Sequence, residues 1–144
     1  MTPTPRAFNF LIIEDNPTDV LIMHEALANA NARVHLHVAQ DGVEGLEFLR
    51  RTGVHASAPR PDLIVLDLNM PRKDGHEVLA EVKTDPSLCS IPVVVLTTSG
   101  ADKDVARAYA AHANCYIRKP VDFARFVEVV QSIEHFWFKT AKLP

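Results

Sequence analysis

Four short apolar runs constrain this chain more than any other feature: Phe8 to Ile13, Leu63 to Leu66, Val93 to Leu96 and Cys115 to Ile117. They are largely continuous rather than alternating, the pattern of parallel strands covered on both faces. A fifth run, Val34 to Ala39, alternates more, with Val34, Leu36 and Val38 set against His35, His37 and Ala39. That pattern predicts a strand at the sheet edge.

Helix-like stretches separate the runs. Pro17 to Asn31 opens with Asn16 as N-cap and Pro17 at the first helical position, where a missing N–H does no harm. Gly42 to Thr52 carries Val43, Leu46 and Leu49 at helical spacing; Gly75 to Thr84, Asp102 to His112 and Asp122 to Lys139 follow. The order βαβαβαβαβα implies one five-stranded parallel sheet, doubly wound, with helices on both faces. Ligands in such sheets bind beyond the carboxyl ends of the strands, where the strand order reverses. Functional residues are therefore expected just after the apolar runs.

The chain has 144 residues and is 47% hydrophobic, enough for one domain with a real core. Thr52 to Pro61 is rich in Pro, Ser and Ala and reads as a surface loop. The net charge of −3 comes without a basic cluster, which argues against nucleic acid as a partner. No apolar stretch approaches the roughly 20 residues of a membrane helix. The opening MTPTPRAF lacks the basic and apolar regions of a signal peptide, so a cytoplasmic location is expected. Cys89 and Cys115 form no metal or redox spacing and are expected to be reduced and buried. His35 and His37 share one side of a strand but lack a third ligand nearby, so they are expected to be surface residues.

The polar residues at the strand ends form a set. The first strand ends in Glu14-Asp15, the third in Asp67, the fourth in Thr97-Thr98-Ser99-Gly100 and the fifth in Lys119-Pro120. Brought together, three carboxylates repel unless a cation balances them, and few protein ligands with retained waters favour Mg²⁺ over Ca²⁺. Lys119 adds a compact positive charge and Thr97 a hydroxyl. One carboxylate can then act as nucleophile toward a phosphoryl group while metal, lysine and threonine neutralise the developing charge. Singly, an acidic residue at a strand end is an ordinary cap or turn residue. The joint pattern carries the argument.

Glu14-Asp15, Asp67 within LDLNMPRKDG, Thr97 within VVVLTTS and Lys119-Pro120 within YIRKP together resemble the receiver domain of two-component response regulators, from about Phe8 to the final helix. The resemblance implies a flavodoxin-like (βα)₅ fold, with residues 1–7 as a tail and 8–144 as the receiver with an extended last helix. It implies Asp67 as phosphoacceptor, and Mg²⁺ held by Asp15, Asp67 and the backbone carbonyl of Asn69, with Glu14 acting through water. It implies Thr97 and Lys119 on the phosphoryl oxygens, a cis bond before Pro120, and a switch in which Thr97 moves toward the phosphoryl group while Tyr116 turns inward. Met70-Pro71 and Gly75 fit the family's turn after the acceptor. Asn69, Thr98 and Ser99 flank the pocket, and neither Asn69 nor Ser99 is a strong base, so slow to intermediate autodephosphorylation is expected.

The long second crossover, the VDFARF opening of the last helix and its aromatic end resemble the small stand-alone response regulators that partner bacterial phytochromes. The implied donor is a separate sensor histidine kinase of phytochrome type, and the output a terminal signal or onward transfer to a histidine phosphotransfer protein. Phe123, Phe126, Val127, Val130, Ile133 and Trp137 are spaced to pack on the sheet, whereas Val129, Phe136 and Phe138 fall away from that stripe. The latter are expected to be exposed for a partner, in a homodimer through the fourth helix, fifth strand and fifth helix, unless the tail folds back over the core. Two rivals fare worse. A haloacid-dehalogenase-type phosphatase needs an acid where Asn69 stands, and a flavodoxin-like electron carrier needs a phosphate loop where Glu14-Asp15 stands.

Overall fold

The computed structural model describes residues 7–28 and 34–144. Residues 1–6 of the expected tail and the end of the first expected helix, Asn29 to Asn31, lie outside the described residues. Among the described residues five strands and five helices alternate: β1 (Phe8–Ile13), α1 (Pro17–Leu27), β2 (Val34–Ala39), α2 (Gly42–Arg50), β3 (Leu63–Leu66), α3 (Gly75–Thr84), β4 (Val93–Thr97), α4 (Asp102–Ala110), β5 (Cys115–Arg118) and α5 (Phe123–His135). A short 3₁₀ turn at Gly53–His55 lies in the crossover before β3, and a π-turn at Phe136–Thr140 extends α5.

All pairings are parallel, in the order β2-β1-β3-β4-β5. The chain winds outward from β1 to β2, then returns to the other side of β1 for β3, so the reversal lies between β1 and β3. This is the flavodoxin-like receiver architecture expected above, with β2 at one edge and β5 at the other.

Alternation along each strand divides the core. Leu11, Ile13, Ile64, Leu66, Val93 and Val95 face α2 and α3. Phe10, Ile12, Leu63, Val65, Val94 and Leu96 face α1 and α5. At roughly 25 cal/mol per Å² of apolar surface removed from water, these two layers supply the main driving force for the fold. Polar side chains set the helix starts: Asn16, Asp41, Asp74 and Asp122 accept backbone N–H bonds at the openings of α1, α2, α3 and α5.

Three expectations need correction. Phe138 is buried, not exposed: the wider π-turn, closed by the Ala141 N–H on the Phe136 carbonyl at 2.7 Å, rotates it back over β1. There it stacks on Phe8 with ring centroids 4.6 Å apart. Phe123 is 59% exposed because it sits at the opening of α5, one turn before the helix meets the sheet at Phe126. Cys89 is exposed in the loop after α3, and Cys115 half-buried. Phe136 remains exposed as expected.

Candidate functional site

The strand ladder itself delivers the acid residues to one place. The Glu14 N–H donates to the Ala39 carbonyl at 2.9 Å, and the Asp67 N–H to the Ile13 carbonyl at 3.1 Å. Both acids thus leave the sheet at the reversal between β1 and β3. Carboxylate oxygens of Glu14, Asp15 and Asp67 lie within 4.8 Å of one another, the acidic group among the described residues able to share one ion. Glu14 and Asp67 are buried, and Asp15 is exposed.

Behind Asp67 the chain turns so tightly that a side chain on Gly75 would place its first carbon 2.2 Å from the Asp67 carbonyl oxygen. The Gly75 N–H closes this turn on the Leu68 carbonyl at 2.9 Å. Asn69 is exposed at the mouth. An open cleft of about 470 Å³ is bounded by Asp15, Asp19, Asp67, Asn69, Thr98 and Lys119.

Lys119 enters from β5, its own N–H donating to the Thr97 carbonyl at 2.7 Å. Its Nζ lies 2.5 Å from Glu14 Oε1, 2.8 Å from Asp19 Oδ2 and 3.6 Å from Asp67 Oδ2. Burial alone would pull the lysine down, but the bonds from Asp19 and Glu14 prevail, raise its pKa and keep it charged. Glu14 is pushed up to about 9, by burial first and then by Asp67, and its second oxygen is buried without a partner. With Glu14 protonated at neutral pH, one ammonium beside Asp15, Asp19 and Asp67 still leaves the cluster negative, an environment suited to a cation.

The Lys119–Pro120 peptide bond is trans, as are all peptide bonds among the described residues; the expected cis bond is corrected. The trans form is favoured by about 0.5–1 kcal/mol for an X–Pro bond, and Lys119 reaches all three acids without the cis geometry. Thr97 is fully buried at the end of β4, its hydroxyl without a partner. Tyr116 is half-buried, packs on the core under α3, and donates its hydroxyl to the Ser99 carbonyl at 2.8 Å.

Ser99 does not offer its hydroxyl to the cleft. It donates to Asp104 at 2.6 Å, and Asp104 also receives His76 at 3.2 Å. Asp104 is held below the usual carboxylate range by Ser99 first and His76 second. The sequence reading missed Asp19, Asp104 and His76. Asp19 could have been found as the acid at the third position of a helix that follows two site acids directly, although such acids are common there for the helix dipole alone. His35 is exposed and His37 bonds Asn9 at 3.1 Å on β1; neither belongs to the site.

No helix among the described residues is long and apolar enough to cross a membrane. Residues 10–131 match the family model described as the response regulator receiver domain. The chain is 44% identical over 134 residues to the response regulator Rcp1 of Synechocystis sp. (strain ATCC 27184 / PCC 6803 / Kazusa), covering 93% of this chain and 91% of that one. It superposes on the phosphorylated cyanobacterial phytochrome response regulator RcpA with a TM-score of 0.94 at 46% identity, covering 96% of this chain and 99% of the other. The Mn²⁺-bound form of Rcp1 gives 0.92 at 43% identity, with coverage of 95% and 99%.

Proposed function

The chain belongs to the response regulator receiver domain family, and on that premise we propose that it accepts a phosphoryl group on Asp67 from a sensor histidine kinase of phytochrome type. One observation carries the reading: Asp67 stands at the strand reversal with the carboxyl groups of Glu14 and Asp15 and, 3.6 Å away, the Lys119 ammonium. An Asp67 oxygen forms the new bond to phosphorus as the bond to the donor nitrogen breaks, and the departing imidazole is protonated from solvent. Lys119, released from Glu14 or Asp19, balances a phosphoryl oxygen, and the unpartnered Thr97 hydroxyl donates to another.

The donor set fits a hard divalent ion, because all candidate ligands are oxygens and Glu14 keeps an unsatisfied buried oxygen. Asp15, Asp67 and the Asn69 carbonyl would hold Mg²⁺, with Glu14 acting through water. When bound, the ion supplies charge neutralisation of the phosphoryl oxygens. Hydrolysis of the acyl phosphate is slow to intermediate, since Asn69 is no base and Ser99 is committed to Asp104. The relatives named as phytochrome response regulators support the choice of kinase.

The protein is also proposed to pair with itself through α4, β5 and α5. The edge strand β5 borders an apolar groove lined by Ile117, Val129, Phe136 and Trp137. Light scattering at tens of micromolar checks this, a monomer being the contrary result. For the main reading, the protein is incubated with Mg²⁺ and a small-molecule phosphodonor and its intact mass read. The expected result is a gain of one phosphoryl group, absent in Asp67→Asn and with chelator. Equal labelling of Asp67→Asn would sink it.

A further inference from the structure

α4 is attached to the rest of the domain in an unusual way. Ala108 is its one buried residue, so burial of apolar surface does little to hold it. Polar ties do so instead. Asp104, in its first turn, receives the hydroxyl of Ser99 at 2.6 Å and the ring of His76 at 3.2 Å. Its Tyr109 hydroxyl receives the Tyr116 N–H at 3.1 Å.

His76 is buried on α3, with its other ring nitrogen lacking a partner. An ionised carboxylate only accepts, so Nε2 carries the proton and donates. Asp104 therefore bridges a fixed group on α3 to the loop after β4. That loop contains Thr98 at the cleft and the Ser99 carbonyl on which the Tyr116 hydroxyl rests. Ser99 is gripped at both ends, its side chain by Asp104 and its carbonyl by Tyr116.

We propose that His76 and Asp104 are positioning residues for phosphoryl transfer: they pin Ser99, and through it hold Tyr116 inward and the Thr97–Thr98 segment beside Asp67. Neither touches the reacting atoms. The inference rests on Asp67 being the acceptor. Without the pin, the loop and Tyr116 sample other arrangements, and the rate falls with the fraction of molecules that keep the competent one. The role is specific to the donor nitrogen, since an apolar residue of similar size at position 76 would fill the space but leave Asp104 without its anchor.

The test uses the full chain with His76→Leu, Asp104→Ala, the double variant and His76→Gln, whose amide nitrogen can take the place of Nε2. Urea unfolding first establishes that each is folded. The rate of phosphoryl gain from a small phosphodonor with Mg²⁺ is then read by intact mass. In parallel, the ring signals of Tyr116 are followed by NMR without phosphodonor; the chain has only two tyrosines, so they are separable.

Each single variant is expected to lower the rate by about tenfold, the scale of one charge-assisted hydrogen bond. The double variant should lower it no further, because both act through one chain of contacts, and His76→Gln should restore it. Tyr116 signals should shift in His76→Leu and Asp104→Ala. Wild-type rates, or additive losses, with Tyr116 signals unmoved would overturn the proposal. If the wild type itself gains no phosphoryl group, the acceptor reading falls, and the Tyr116 signals alone decide whether the pin exists.

Discussion

Lys119 Nζ lies 2.5 Å from Glu14 Oε1 and 3.6 Å from the Asp67 carboxylate, so the site's cation is held mainly by an acid other than the proposed acceptor. Removing Lys119 should expose how this arrangement is balanced. Glu14, pushed up to about 9, already carries a proton at neutral pH, so removing the ammonium strands no buried negative charge on it. Lys119→Met is expected to cost about 1–3 kcal/mol in urea unfolding at neutral pH. The double variant Glu14→Gln, Lys119→Met should recover most of that; a double variant as unstable as the single one contradicts the account.

Thr97 combines full burial with an unpartnered hydroxyl, an arrangement that costs stability in the absence of a ligand. Thr97→Val keeps the shape and removes the polar group. It is expected to stabilise the unphosphorylated protein by about 1 kcal/mol while slowing phosphoryl uptake. Loss of stability in urea unfolding would mean that the hydroxyl has a partner in solution.

Asp41 opens α2 by accepting the Glu44 N–H at 2.8 Å and also pairs with Arg72 at 2.9 Å. Burial pushes its pKa up, but the Glu44 and Arg72 contacts outweigh it and hold the group below its ordinary 3.8. A depressed carboxyl contributes stability that is present above the unfolded-state value and lost as pH falls through the folded one. Asp41→Ala should therefore cost about 1 kcal/mol at pH 7, and the gap from wild type should close as the pH drops below 3.8. Urea midpoints measured down a pH series check this; a gap independent of pH is the contrary result.

The neighbouring aromatics Phe136 and Phe138 should separate folding from association. Phe138 is buried against Phe8 and Phe10, and its replacement by alanine is expected to cost about 3 kcal/mol. Phe136 is half exposed; Phe136→Ala should change unfolding by no more than about 0.5 kcal/mol yet shift light scattering toward monomer. Equal effects of the two on stability would place Phe136 in the core.

The apolar runs made the sheet legible. The limits of β1, β2 and β3 coincide with them because their side chains are sorted by burial, and burial is written in composition. Helix ends were harder: the fourth was read to His112 but stops at Ala110, where His112 takes a left-handed backbone with φ 72°. Glu14, Asp15, Asp67, Thr97 and Lys119 were visible as a group because strand ends in such sheets converge. Asp19, His76 and Asp104 were not, since pairs between separate helices leave no periodic trace. The bond before Pro120 differs by so little energy between its two forms that local chemistry could not choose between them. Phe138 escaped because a single π-turn shifts every later residue around the helix axis.

Glu14 and Lys119 are 105 positions apart, and Lys119 directly follows the last strand. During synthesis the acids therefore emerge from the ribosome long before the ammonium that balances them. A nascent chain lacking β5 carries Asp67 without the Lys119 ammonium that lies 3.6 Å from it. The charge arrangement around Asp67 is therefore complete only once the last strand has been made and joined to the sheet.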